Sequence, residues 1–154
     1  MTLYQRGFPL NFGFPSGSAT GENVSMRPNK SGSGALSGSP ESRLGGQYSS
    51  KGWFDTSAFK APADYSFGNE SRVDPMLRSN GIENWDFSLF KDTRFGPEDR
   101  LGVQFRAEFF NLFNHPQFGP PDTTCCSNTN GNFGHVSSTL GDPRLIQFAL
   151  RFTF

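Results

Sequence analysis

The last residues of the chain alternate between two kinds of side chain. Every second position is apolar, and the positions between them are polar or small. A β-strand directs successive side chains to opposite faces, whereas a helix would spread these apolar residues around its whole circumference. The segment is therefore predicted to be a strand with one apolar face. The apolar set is Ile146, Phe148, Leu150, Phe152 and Phe154, and the second set is Gln147, Ala149, Arg151 and Thr153.

Two earlier segments repeat this period of two. In residues 101–109, apolar side chains alternate with Gly102, Gln104, Arg106 and Glu108. In residues 85–92 the alternation is broken by Phe90, which falls in the polar set. We therefore predict two further strands. Their apolar faces are Leu101, Val103, Phe105, Ala107 and Phe109 in one strand and Trp85, Phe87 and Leu89 in the other.

A polar connection joins these two strands. Residues 95–100 contain Gly96, Pro97 and a run of charged side chains, which is typical of a tight turn. We predict an antiparallel hairpin centred near Pro97, with apolar side chains paired on one face. This centre would set Leu89 opposite Phe105 and Trp85 opposite Phe109. The three strands are predicted to cover about residues 85–93, 101–113 and 145–154.

The rest of the chain lacks such a pattern. Hydrophobic residues make up only 34% of the 154 residues, and Phe supplies 18 of them, so the Leu, Ile and Val of an ordinary soluble core are sparse. Residues 15–50 are dominated by Gly, Ser, Pro and Asn and are predicted to be a loop or disordered, because they bury too little apolar surface. Residues 52–67 are predicted to be a structured loop with aromatic anchors and one helical turn. Residues 1–14 are interpreted as a partial strand or barrel remnant, and 15–83 as one Gly/Ser-rich external loop.

The connections distinguish a membrane barrel from a soluble sandwich. About ten residues at roughly 3.3 Å each, tilted by about 45°, span the apolar band of an outer membrane. Outer-membrane barrels join their strands by short periplasmic turns and long external loops. With a periplasmic C-terminus, the long connections 15–83 and 114–143 are external and the short turn at 95–100 is periplasmic. The predicted fold class is all-β: antiparallel C-terminal strands of a transmembrane β-barrel, as a fragment, with long irregular loops.

In such a barrel the two faces have different surroundings. The apolar face contacts lipid and the polar face lines the lumen. Inward-facing charges are predicted to satisfy one another rather than to form a substrate site. This lumen polar network is predicted to contain Asp86, Arg106, Glu108 and Arg151.

Several segments of the chain resemble a known family. They are NWDFSLFK at 84–91, QFRAEFFNLFNHPQFG at 104–119, GDPR at 141–144 and IQFAL at 146–150, with weaker likeness in WFDTSAF at 53–59 and FGNESR at 67–72. Together they resemble the C-terminal part of TonB-dependent receptors of the Oar-like class.

The resemblance implies a cell outer-membrane location and a large barrel with an N-terminal plug. It implies import of a ligand with energy delivered through TonB, so the partners would be outer-membrane lipid, the rest of the barrel and plug, and TonB. It also implies that Ile146, Phe148, Leu150, Phe152 and Phe154 form the signal that the barrel-assembly machinery recognises. The chain lacks a recognisable plug, a TonB-contacting segment and a signal peptide, so we expect it to be a C-terminal piece of such a receptor.

Other chemistry has weaker support. Adjacent Cys125 and Cys126 can bridge only through a small local ring, so we expect unbridged loop thiols, with an intermolecular bridge or a metal contact as the alternatives. The spacing of His115 and His135 around these cysteines and Asp122 matches no usual metal site. We find no catalytic constellation and expect no enzyme activity, cofactor or bound metal. The 14 basic and 14 acidic residues are mixed along the chain, with no basic stripe for nucleic acid.

A second hypothesis comes from a different class of protein. The chain could be a secreted or surface β-domain that binds glycans or partners through its aromatic-bearing loops. That hypothesis predicts a soluble chain with a mixed aliphatic core and strands that pair without lipid.

Overall fold

The chain forms two compact units in a computed structural model, which describes residues 1–13, 26–44, 52–63, 65–126 and 131–154. The first unit comprises Met1–Gln5, Ile82–Gln117 and Leu140–Phe154, and the second comprises Arg6–Gly81 and Phe118–Thr139. Among the described residues, no helix has the length and hydropathy needed to cross a membrane.

Most of the regular structure consists of strands. In chain order the elements are β1 (Thr2–Gln5), β2 (Asn29–Lys30), α1 (Pro40–Leu44), a 3₁₀ turn (Thr56–Ala58), β3 (Phe59–Lys60), β4 (Ile82–Trp85), β5 (Phe87–Phe95), a 3₁₀ turn (Pro97–Asp99), β6 (Leu101–Phe110) and β7 (Leu145–Thr153). Strands β5, β6 and β7 form an antiparallel sheet in that order, β1 pairs with β4, and β2 pairs with β3.

The hairpin β5–β6 has a different register from the predicted one. Leu89 lies opposite Ala107 rather than Phe105, and Phe109 lies opposite Phe87 rather than Trp85. The turn is centred on Glu98, because Phe95 and Leu101 are the last paired residues on either side of it. This shift of two residues leaves every side chain on its predicted face, since a strand has a side-chain period of two.

Strand β1 extends the sheet on the far side of β5. Strand β4 runs into β5 through Asp86, whose backbone N–H and C=O both bond with Met1. The C=O of the preceding residue, Trp85, instead accepts from the N–H of Leu112, just beyond β6. Neighbouring residues of an extended strand direct their backbone groups to opposite edges. The run β4–β5 is therefore flanked by β1 on one edge and by β6 on the other.

The second unit has its own aromatic core. Rings of Phe12, Phe54, Phe59 and Phe133 contact one another, mostly edge to face, with centroid separations between 4.4 and 6.3 Å. Edge-to-face contacts add to the stabilisation that burial of the rings provides. These rings come from three separate segments of sequence, so the core holds the two long connections of the chain together as one folded unit.

Parts of residues 15–83, the segment predicted to be a long Gly/Ser-rich external loop, contribute to this core. Met26 and Pro28 are buried, and Leu44 packs against the core. The predicted helical turn in residues 52–67 is the 3₁₀ turn Thr56–Ala58, where the Asp55 carboxylate accepts from the N–H of Ser57. Within 15–50, positions 15–25 and 45–50 lie outside the described residues. This packing could not be predicted from the Gly/Ser-rich sequence, because its few apolar residues contact partners from distant segments.

The bonding of the two cysteines also differs from the prediction. Cys125 and Cys126 are joined to each other by a disulfide. Cys125 is fully buried in the aromatic core, and its N–H donates to the carbonyl of Gly13 at 2.8 Å. Cys126 has a left-handed backbone, with φ 61°. The expectation that these thiols stay unbridged is therefore wrong.

One buried ion pair stabilises the second unit. The Asp74 carboxylate is fully buried and accepts a hydrogen bond from Lys30 Nζ, which also lies 5.5 Å from the centroid of the Phe59 ring. The N–H groups of Met76 and Leu77 donate to its other oxygen at 2.7 and 2.8 Å. Burial alone raises the pKa of Asp74, but the Lys30 hydrogen bond, the two N–H donors and the Lys30 charge together hold it below its ordinary value.

We expect Asp74→Asn to lower the free energy of unfolding of the second unit by about 3–5 kcal/mol at pH 7, because it leaves the Lys30 ammonium without its carboxylate. A lowered carboxyl pKa contributes stability above the unfolded value of 3.8, and that contribution is lost as the pH falls through the folded value. The parent should therefore lose stability below pH 3.8, and Asp74→Asn should not show this loss. Urea unfolding followed by Trp53 fluorescence, in a Trp85→Phe background, measures both effects.

Asp55→Asn is the matched control, since Asn keeps the capping oxygen at an exposed turn. It should change stability by less than about 1 kcal/mol. Equal urea midpoints for Asp74→Asn and the parent at pH 7 would contradict the role assigned to the pair.

Candidate functional site

The apolar face of the sheet β5–β6–β7 is exposed along its length. Phe148 and Phe152 keep 66% and 64% of their surface accessible, and their neighbours in β7 are exposed as well. Cross-strand pairing brings apolar residues together: Phe105 faces Leu150, Phe109 faces Ile146 and Val103 faces Phe152. A continuous apolar surface of this kind needs an apolar environment to cover it.

The centre of this face is packed around a small residue. Ala107 is buried and lies opposite both Leu89 and Phe148. The Phe148 ring contacts Phe105 and Phe109, the residues on either side of Ala107 in the same face, at centroid separations of 6.2 and 6.4 Å. The Phe148 side chain therefore covers Ala107 and joins β7 to β6 by side-chain contact.

Lys91 is the one basic residue of β5 on this face. It lies opposite Phe105, and Thr93 follows it opposite Val103. This row is the third of the five on the face, since Phe87 and Leu89 precede Lys91 in β5 and Thr93 and Phe95 follow it. A lysine can lay its aliphatic stem along an apolar surface and extend its ammonium group away from it. The pairing therefore places Lys91 in the middle of the paired rows, between Ala107 and the turn Pro97–Asp99.

The opposite face of the sheet carries the polar side chains of all three strands, with Phe90, Ala149, Phe110 and Leu145 among them. Asp92, Gln104 and Arg151 lie in one row across the sheet, and Arg94, Gly102 and Thr153 lie in the next. They line a cavity of about 520 Å³ together with Asp99 and Arg100. Gly102 leaves the floor of this cavity open, since an added Cβ would meet only Thr153, at 3.7 Å.

The four residues predicted to form a lumen network occupy three separate places. Arg106 and Glu108 pair at 3.7 Å along β6. Arg151 lies opposite Gln104 at the cavity near the turn. Asp86 lies at the β4–β5 junction, where its carboxylate accepts from Asn84 Nδ2 and from the N–H of Asn111. The row of Arg106, which also holds Phe90 and Ala149, adjoins that of Arg151, and among the described residues the only ion pair within this set is Arg106–Glu108.

A second cavity of about 550 Å³ lies on the first unit at the end of the sheet away from the turn. Its polar lining consists of amides and carboxylates and contains no lysine or arginine. Apolar side chains complete the lining. The residues include Leu3, Asn84, Asp86, Phe110, Asn111, Gln117 and Gln147. The two cavities therefore differ in their basic residues, since the lining of the first contains three arginines.

The motif at 111–117 joins the strands at this end. Asn111 is buried with φ 50°, and its side chain bonds to the backbone of His115 and to the carbonyl of Asp142. The Gln117 amide accepts from the N–H of Glu83 at 3.2 Å and donates to its carbonyl at 2.6 Å. Gln117 thus bonds to β4 as a neighbouring strand would, at a position that β6 does not reach.

Sequence reasoning did not single out Asn111 or Gln117 as functional positions. The sequence feature that could have indicated a special backbone here is the pair of asparagines in NLFN at 111–114. Asn adopts the left-handed backbone more readily than most residues. Asn111 and Asn114 both do so, with φ 50° and 53°. Their long-range partners could not be read from the sequence.

The two histidines lie in different units. His115 belongs to the first unit, 4.0 Å from Glu83, and His135 belongs to the second. Within the described part of the chain, no three His, Cys, Asp or Glu side chains come together as a metal site would require. What the site offers instead is a sheet with one apolar and one polar face.

Comparison with known proteins gives one match. A family model described as "Outer membrane beta barrel domain" matches residues 1–147. No curated protein and no solved structure matches the chain.

We expect Asn111→Ala to destabilise the first unit by about 2–4 kcal/mol. Alanine disfavours the left-handed backbone by about 1 kcal/mol, and each lost hydrogen bond costs about 1 kcal/mol. Asn111→Gly should recover only the backbone part, because glycine accepts this conformation but forms no side-chain bonds. Urea unfolding followed by Trp85 fluorescence, in a Trp53→Phe background, compares the two variants. Equal stability of both variants and the parent would contradict the role of Asn111.

Proposed function

This chain belongs to the outer membrane β-barrel domain family, and from that premise we propose that it supplies the final membrane-spanning strands of a TonB-dependent receptor that imports a ligand. Membership of the family places the protein in the outer membrane, in association with its lipid. The finer assignment rests on the likeness of residues 84–119 and 141–150 to the Oar-like receptors.

The observation that carries the proposal is the exposed apolar face of β5–β6–β7. In lipid, such a face needs no further covering, and the polar face turns towards a lumen. The outer edges of β1 and β7 have no partner strand among the described residues. Unpaired backbone groups are not tolerated in hydrocarbon, so further strands of the receptor would pair with both edges and close the barrel.

The strand directions within the first unit support the proposed topology. Gln5 pairs with Ile82 and Phe110 pairs with Leu145, so both long connections start from strand ends. These ends lie away from the turn, where Phe95 pairs with Leu101. The short turn Pro97–Asp99 then belongs to the other side, as the alternation of short and long connections requires.

The proposed partners follow from this assignment. The receptor's plug and barrel would surround the polar face, and TonB would deliver energy through the plug. The barrel-assembly machinery would recognise the alternating apolar residues of the final strand. These are Ile146, Phe148, Leu150, Phe152 and Phe154, of which the first four alternate along β7.

We expect Phe148→Arg to prevent assembly in the outer membrane, and Gln147→Arg to permit it. An arginine on the lipid face near the membrane centre costs about 2–4 kcal/mol, enough to lower the assembled fraction by more than about tenfold. The neighbouring Gln147 lies on the polar face opposite Glu108, where an arginine gains a partner. Immunoblots of outer-membrane fractions from expressing cells measure the outcome.

A loss of assembly in Phe148→Arg could come either from an arginine in lipid or from a damaged assembly signal in the final strand. Leu89→Arg distinguishes these two causes. Leu89 lies on the same face as Phe148 but in β5. Its substitution should cause the same loss. If Gln147→Arg were lost as completely as Phe148→Arg, the assignment of the two faces would be wrong.

Dependence on TonB is tested genetically in the source organism. Deleting the coding sequence of the receptor should impair growth on the imported nutrient, and deleting TonB should cause the same defect. The double deletion should grow no worse than either single deletion, because one pathway is lost in all three. Additive growth defects would exclude TonB-dependent import by this protein while leaving its barrel assignment intact.

A further inference from the structure

Three extended segments lie side by side in the second unit. Strand β3 pairs with β2 in the register Asn29 to Lys60 and Lys30 to Phe59. On the other side of β2 runs the segment 67–70, where the N–H of Glu70 donates to the carbonyl of Pro28 at 3.1 Å. Asn69 adds side-chain bonds to both backbone groups of Lys30. The three segments form a small, nearly continuous surface.

Side chains alternate between the two faces of this surface. Pro28, Phe59 and Glu70 are buried, so they occupy the inner face. Each segment also has an exposed residue at a position of opposite parity to its buried one. These residues are Arg27, Lys60 and Phe67. We call the exposed side the basic face, defined by Arg27, Asn29, Lys60 and Phe67.

The pairing brings the two cations of the basic face near each other. Lys60 lies directly opposite Asn29. Continued by two residues beyond the start of β2, this register makes Arg27 the diagonal neighbour of Lys60. Diagonal neighbours have Cα atoms about 7–8 Å apart, within reach of long side chains. On the other side of Arg27, the backbone of Gly68 lies against the carbonyls of Arg27 and Pro28, so that Phe67 flanks Arg27.

The charge of this face is not neutralised within the described structure. Neither Arg27 nor Lys60 pairs with a carboxylate that the structure describes. Lys30, on the inner face, is instead paired with buried Asp74. Two neighbouring cations without counter-ions attract an anionic partner and repel a cationic one.

The aromatic residues beside the cations are held away from the core. Phe67 keeps 84% of its surface accessible and Tyr65 keeps 87%. Between them, the N–H and the hydroxyl of Ser66 both donate to the carbonyl of Ala63. Two aromatic rings that are presented to water contribute little to folding, which favours a role in binding.

We propose that the basic face binds an acidic polysaccharide. The guanidinium of Arg27 and the ammonium of Lys60 would donate to the carboxylates of successive sugar units, and the ring of Phe67 would pack on the apolar face of a sugar ring. Asn29 Oδ1 already accepts from the N–H of Asn69 at 3.1 Å, so its Nδ2 would be the group that donates to the ligand between the two cations. The proposal concerns the second unit and holds whether or not the first unit belongs to a TonB-dependent receptor.

The test uses the full chain folded in detergent, with alginate coupled to agarose as the acidic probe and dextran coupled to agarose as the neutral one. The parent should be retained on alginate, released by salt, and not retained on dextran. Arg27→Gln with Lys60→Gln should weaken binding to alginate by about tenfold or more, and Phe67→Ala by about threefold to tenfold.

Arg6→Gln and Phe8→Ala are the matched controls. Both residues are exposed in the same unit, but on the segment that pairs with Arg78 and Ser79. The controls should bind alginate as the parent does. Lys60→Glu provides a single substitution at an exposed position that should abolish binding by reversing one charge.

The proposal is overturned if the parent does not bind alginate or binds dextran equally well. It is also overturned if Arg6→Gln weakens binding as much as the substitutions of Arg27 and Lys60, since the attraction would then be general. Binding by Phe67→Ala equal to that of the parent would remove the sugar-packing role and reject the proposed site.

Discussion

The antiparallel hydrogen-bond ladder between β5, β6 and β7 determines the organisation of the first unit. Because its register is set by the turn centred on Glu98, it decides which side chains share a face. One face becomes a continuous apolar surface with Phe148 packed over Ala107, and the other carries the charged residues and a cavity. A slip of one residue would exchange the two faces, place charges in lipid and remove the polar surface.

The unit is completed by side chains that replace missing strand partners. Asp86 and Asn111 close the end of the sheet, and Gln117 bonds to the backbone of Glu83 where β6 has ended. These groups matter because an unpaired backbone N–H or C=O costs free energy wherever water is excluded. The second unit is stabilised differently, because its sequence is poor in apolar residues. A few aromatic rings and the Lys30–Asp74 pair hold its segments together.

Much of this organisation could be predicted from the sequence, but at different levels of detail. The period-two pattern identified the faces of the three strands, and four of the five apolar residues assigned to each of β6 and β7 pair with one another across the two strands. The hairpin register was wrong by two residues, because polar turns of similar composition can close at more than one centre. Of the second unit, only the structured loop at 52–67 with its aromatic anchors and helical turn was predicted, and not the unit as a whole. Its contacts join Phe12, Phe54 and Phe133, and no local pattern connects residues so far apart.

The sequence by itself determined the strand positions, the alternation and the apolar face, since these depend only on the geometry of an extended chain. Tertiary structure alone decided which residues meet across strands and loops. It separated Asp86, Arg106 and Arg151 into different places, joined Cys125 to Cys126, and set Asn29 opposite Lys60 with Gly68 against the backbone of Arg27. The physical reason is that side-chain direction is a local property of the backbone. Contacts between distant segments depend instead on the register and packing of the whole unit.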